Sequence, residues 1–144
     1  MDNDTWKIVI QKPVKREGSS QYLVFVLVSF ALSVSITRLF LSITNYPQLG
    51  TGELHIAHVL WGGLLLFIAA LIPLLISNRR AYKLAAILAG VGIGLFIDEV
   101  GKFITQKNDY FYPAAAPIIY IFFIFTLMLL LQMRRREETT ARAE

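Results

Sequence analysis

Four long apolar runs dominate the chain, at about 21 to 44, 53 to 77, 84 to 105 and 114 to 133, each closed by polar or helix-breaking residues. Asn45-Tyr46-Pro47 stops the first and Ser77-Asn78-Arg79-Arg80 the second. Lys107-Asn108-Asp109 and Pro113 separate the third from the fourth, which ends at Arg134-Arg135-Arg136. Each run approaches the ~20 residues that a helix needs to cross ~30 Å of hydrocarbon. Backbone groups in lipid must be satisfied internally, so runs of this kind are expected as helices. The expected fold class is therefore all-α: a polytopic membrane protein built as an up-down-up-down bundle of four transmembrane helices with short connections.

The flanks are polar. Residues 1 to 20 read as an N-terminal tail in which the apolar patch Trp6 to Ile10 is too short for a convincing interfacial helix. The first apolar run exceeds the roughly 7 to 15 residues of a signal-peptide core and lacks a small-residue cleavage pattern, so it reads as a signal anchor. Residues 134 to 144 read as a solvated C-terminal tail.

Composition agrees with the pattern. The 144 residues are 56% hydrophobic, more than the roughly half expected of a soluble domain, and the mean hydropathy is +0.57. A net charge of +4 raises the question of nucleic acid, but the basic residues sit in clusters at the ends of apolar runs, which reads as membrane orientation instead. Lys7, Lys12, Lys15 and Arg16, then Arg79, Arg80 and Lys83, then Arg134, Arg135, Arg136 and Arg142 fall on one side of the expected topology. The other side's loops carry only Lys107, so both termini are expected in the cytoplasm. With no cysteine, disulfides, thiolate catalysis and cysteine-ligated metals are excluded.

Against this background the charged residues inside the spans stand out. Arg38 lies about six residues, roughly 9 Å, before the outer end of the first helix. His55 and His58 occupy the first two turns of the second, and Asp98 and Glu99 lie roughly 10 Å below the outer end of the third. All share the outer half of the bilayer. At ~100° per residue, His55 and His58 share a face that continues through Gly62 to Ala69 and Pro73. Gly90, Gly94 and Gly101 line nearly the same face as Asp98, which is therefore expected to point into the bundle. Lys102 projects between Asp98 and Glu99, one turn nearer the surface. Ser35 and Ser42 lie along the Arg38 stripe as candidate hydrogen-bond partners.

Three readings follow from these residues. One is a structural ion-pair network, with Arg38 and Lys102 neutralising Asp98 and Glu99 and neutral histidines bonded to neighbouring helices. A second is a metal centre, in which His55, His58, Asp98 and Glu99 offer imidazole and carboxylate ligands suited to zinc, manganese or non-haem iron. The repeated Glu-x-x-His of di-iron bundles is absent. Arg38 and Lys102 would repel the cation unless an anionic substrate lay between them, which points to metal-activated water acting on phosphate or carboxylate groups. The third is a proton or ion pathway through His55, His58, Asp98 and Glu99. Ser29, Ser33 and Thr37 are the only hydroxyl stripe available to continue it inward, and such residues more often serve packing.

Other motifs add less. Gly90-x-x-x-Gly94 reads as close helix packing within the bundle. Gly90-x-Gly92-x-Gly94 lacks the strand and spacing of a nucleotide loop. Tyr110, Phe111 and Tyr112 suit an outer aromatic belt, and Asn108, Asp109 and Tyr110 are placed to lid the polar site; Trp61 is a further aromatic on the second helix.

Three segments in order, His55-Ile56-Ala57-His58-Val59-Leu60-Trp61-Gly62-Gly63, Gly92 to Phe103 with its Asp98-Glu99-Val100-Gly101-Lys102 core, and Asn108-Asp109-Tyr110-Phe111-Tyr112-Pro113, resemble an uncharacterised group of small bacterial integral membrane proteins. The resemblance implies a bacterial cell-membrane setting and singles out the same residues. It carries no mechanism. The functional expectation is thus a membrane-embedded site in the outer leaflet that acts on an anionic or lipidic small molecule. Arg38 and Lys102 would clamp the anion, Asp98 or Glu99 would serve as ligand or general base, and His55 and His58 would bind any divalent metal. The alternative is a non-enzymatic transport or accessory subunit. The expected surroundings are a lipid bilayer and no nucleic acid; oligomeric state is not readable.

Overall fold

The computed structural model describes Arg16, residues 18–44, 58–100, Ile104 and 113–141, with side chains described as far as Arg135. Among them are four α-helices, α1 (Ser19–Ile43), α2 (His58–Leu75), α3 (Arg79–Asp98) and α4 (Ala115–Ala141), and no strand. All four are long and apolar enough to cross a membrane, α4 through Ala115–Arg135. The protein is an all-α, multi-pass membrane protein.

Helix direction follows from which residues meet. On α1 and α3 the pairings rise together: Ser29 faces Gly90, Ser33 faces Gly94, and Arg38 reaches Asp98, so these two helices run parallel. On α2 and α3 they run in opposition, Val59 meeting Glu99 while Leu66 packs on Gly92. On α4, Phe123 lies against Phe30 with ring centroids 6.2 Å apart. Ala116 shares a groove wall with Arg38, so α4 is antiparallel to α1. The directions alternate along the chain, with α3 between α1 and α2 and with α4 packed mainly on α1.

Small residues make that central position possible. The buried residues of α3 are Ala81, Ala85, Ala86, Gly90, Gly92, Gly94, Ile97 and Asp98, which lets two neighbouring backbones approach closely. A methyl group at Gly62 would lie 2.8 Å from the Gly92 carbonyl oxygen, and one at Gly94 would lie 2.7 Å from Ser33 Cβ. The Ser33 hydroxyl donates to the Val91 carbonyl at 3.1 Å across the same seam. Large apolar side chains point the other way: Leu60, Phe67, Leu74, Ile121, Phe125 and Met128 are exposed. Such a surface is untenable in water and is the ordinary lipid face of a bundle.

Two helix ends differ from the sequence expectation. α3 begins at Arg79, within the stretch expected as a polar break, because the Asn78 side chain accepts a hydrogen bond from the Ala81 amide at 2.7 Å, satisfying an otherwise orphan donor. α4 runs on past Arg134 into the stretch expected as a solvated tail, where arginine and glutamate are good helix formers. At this end of the bundle the Arg16 guanidinium stacks 3.6 Å over the Tyr82 ring, which also packs on Tyr22 with centroids 5.9 Å apart. Cation and aromatic rings grouped in this way suit a membrane interface.

Candidate functional site

Parallel packing of α1 and α3 decides where their charges meet. Once Gly90 and Gly94 let α3 settle against Ser29 and Ser33, about one further turn brings Arg38 opposite Asp98. Arg38 Nε donates to Asp98 Oδ1 at 2.6 Å. The Asp98 side chain is 2% exposed and that of Arg38 33% exposed, so the carboxylate is sealed between helices while the guanidinium extends from the seal toward the outside. A charge-assisted bond of this length is strong.

Glu99, the C-cap of α3, turns the other way and is fully buried. Its Oε2 accepts from the backbone amide of Val59 at 2.8 Å, in the first turn of α2 as described. A carboxylate there satisfies an orphan amide and opposes the positive end of the helix dipole. His58 Nδ1 lies 3.9 Å from the same Oε2, beyond a hydrogen bond, and is buried with no hydrogen-bond partner among the described residues. The adjacent carboxylates thus serve two different helices, Asp98 binding α1 and Glu99 binding α2.

Of the sequence-derived candidates, Arg38, His58, Asp98 and Glu99 come together at one end of the bundle. His55 and Lys102 lie outside the described residues, as do Asn108 to Tyr112. Asp98 is the last residue of α3 as described, with Glu99 capping it. Ser42 donates to its own helix at Leu39 O, 2.8 Å away, and so is not an Arg38 partner. Ser29 does likewise toward Phe25 O at 2.6 Å. With Ser33 bonded across the seam, two of the three hydroxyls of the α1 stripe are engaged in packing. Trp61 is 52% exposed, on the lipid side. Among the described residues no group of three or more histidines and carboxylates is arranged to hold a metal.

One feature of the site left no mark in the sequence pattern. A groove of about 290 Å³ runs between α1 and α4, walled by apolar residues including Phe30, Val34, Ala116, Ile119 and Phe123. Arg38 closes its α1 wall at the end nearest the C-terminus of α1. The guanidinium therefore joins two environments, a buried carboxylate on one side and an apolar groove on the other. Only the α1–α4 packing creates this, and apolar residues on both helices look alike in sequence whether they face lipid or a groove.

No protein-family model matches the chain, and no match is found among curated proteins or solved structures.

Proposed function

We propose that this protein holds a binding site within the outer half of a bacterial cell membrane, with both termini cytoplasmic, and that the site takes an anionic or lipidic small molecule. The supporting observation is the Arg38–Asp98 pair. Ionisable residues inside membrane helices mark functional sites by default, and here a buried carboxylate fixes a guanidinium that still reaches the bundle surface. Asp98 orients Arg38; Arg38 presents its other donors, of the five a guanidinium carries, to a phosphate or carboxylate.

The metal reading draws less support. Asp98 is bonded to Arg38 and Glu99 Oε2 to the Val59 amide, so each carboxylate proposed as a ligand already has a protein partner. A structural role, in an accessory or transport subunit, has a specific observation in its favour: the same two bonds tie α3 to both of its neighbours, as a purely architectural network does.

The deciding experiment is identification of what the protein retains. Purified full-length protein is extracted and its bound small molecules are identified by mass spectrometry, beside the charge-neutral Arg38→Gln/Asp98→Asn variant. An anionic compound retained by the wild type and missing from the folded double variant supports the site. An identical set from both proteins leaves the structural reading in possession.

A further inference from the structure

We propose that the groove between α1 and α4 seats one hydrocarbon chain of an anionic membrane lipid, whose phosphate-bearing headgroup is held by Arg38. This rests on the binding reading above and names its ligand class and the place where that ligand lies.

Chemistry and position together specify the occupant. The lining of the groove is mostly apolar, with hydroxyls from Ser35 and Tyr120, and ends in a cation, the reverse image of an amphiphile with a hydrocarbon tail and an anionic head. From Phe30 to Arg38 the α1 wall rises eight residues, roughly 12 Å at ~1.5 Å per residue, parallel to the helices and hence along the direction of lipid chains. Both walls belong to membrane-spanning segments. A lipid enters such a groove by lateral diffusion, whereas a water-soluble anion must first leave water.

The volume, about 290 Å³, lies at the small end of the ~300–1,000 Å³ usual for ligand sites, enough for part of a chain and too little for a folded polar substrate. Arg38 sits within roughly 8 Å of the end of α1, so its long side chain can meet a headgroup drawn slightly inward. Asp98 is essential to this arrangement: its bond to Nε at 2.6 Å orients the guanidinium plane, and charge-assisted contacts from the remaining nitrogens favour a phosphate in a head of net negative charge over one whose own cation offsets it, or a neutral head.

The test uses the full-length protein in detergent, loaded with phosphatidylglycerol or with tail-matched phosphatidylcholine and observed by native mass spectrometry. The wild type is expected to retain one phosphatidylglycerol with a preference of about tenfold. Arg38→Gln/Asp98→Asn should lose that preference while keeping some lipid, and Ala116→Trp, which fills the groove, should lower retention of both lipids. A phosphatidylglycerol carrying a mid-chain diazirine gives a reading on the unaltered protein, with crosslinks expected on residues 30–34 of α1 and 119–123 of α4. Crosslinks elsewhere, with an Arg38-dependent preference intact, overturn the groove and leave the anion site standing. A wild type that retains no lipid overturns both. A lipid-free wild type that forms a dimer broken by Ala116→Trp assigns the groove to a second copy of the chain and overturns the lipid.

Discussion

Arg38 Nε and Asp98 Oδ1 meet at 2.6 Å across the parallel seam of α1 and α3, and the two residues divide their exposure unequally. Asp98 is sealed; Arg38 is not. Removing either charge therefore has different consequences, and the pair is best probed from both ends.

Arg38→Gln strands a carboxylate whose side chain is only 2% exposed and is expected to destabilise the protein by about 3–5 kcal/mol, whereas Asp98→Asn leaves a part-exposed guanidinium and should cost less. The charge-neutral double variant Arg38→Gln/Asp98→Asn should recover a large part of that loss. Thermal melts in a single detergent check both. A double variant as unstable as Arg38→Gln alone would mean that Asp98 acts through some other partner.

Glu99 should behave differently, since its partner is a backbone amide. Glu99→Gln keeps an acceptor for the Val59 amide and loses the charge at the start of α2, an expected cost of about 0.3–2 kcal/mol from that source. Glu99→Ala leaves the amide unsatisfied and should cost about 1–3 kcal/mol from that source alone, with a cavity cost in addition. Hydrogen exchange at the first turn of α2 in detergent should rise in the alanine variant more than in the glutamine variant.

The helix seams give a contrast free of charge. A methyl at Gly62 meets the Gly92 carbonyl oxygen at 2.8 Å, while one at Gly63 meets nothing within 4 Å. Gly62→Ala must push α2 from α3 and is expected to cost about 1–3 kcal/mol; Gly63→Ala should be neutral or stabilising by about 1 kcal/mol through helix propensity. Equal melting temperatures for the two variants would show that the seam yields freely.

If the histidines serve no metal, protein purified without chelator should carry no stoichiometric zinc, manganese or iron, and EDTA should leave its melting temperature unchanged. Elemental analysis of the wild type beside His55→Ala/His58→Ala decides this. Stoichiometric metal in the first and none in the second would establish the imidazoles as ligands and return Asp98 and Glu99 to the ligand list.

Reporter fusions at residue 49 and at the C-terminus are expected on opposite sides of the membrane, with the C-terminal one cytoplasmic. A shared side would remove the basis for placing Arg38, His58 and the two carboxylates in the outer half.

Much of the fold could be read from hydropathy because each span announces itself as an apolar run of the right length. The start of α3 could not: Arg79, Arg80 and Lys83 look like a loop to any hydropathy measure, whereas the Asn78 cap makes them the first turn of a helix. The end of α4 was hidden similarly, since a helix leaving the bilayer keeps its backbone pattern as its side chains become charged. Within the site, the shared face of Gly90, Gly94 and Asp98 follows from helical geometry alone. What Glu99 touches does not, because its bond to Val59 depends on the relative register of α2 and α3. The lipid-facing groove depends on two helices separated along the chain by α2 and α3, and no local pattern encodes it.

Because α1 and α3 are parallel neighbours, the chain must lay down all of α2 between them before the seam can close. Asp98 follows Arg38 by 60 residues, an interval of about 3 to 12 s at the usual ~5–20 residues per second of synthesis. During that time the arginine's carboxylate does not yet exist. The Arg38–Asp98 pair can therefore form only on chains whose third span has entered the membrane in register with the first.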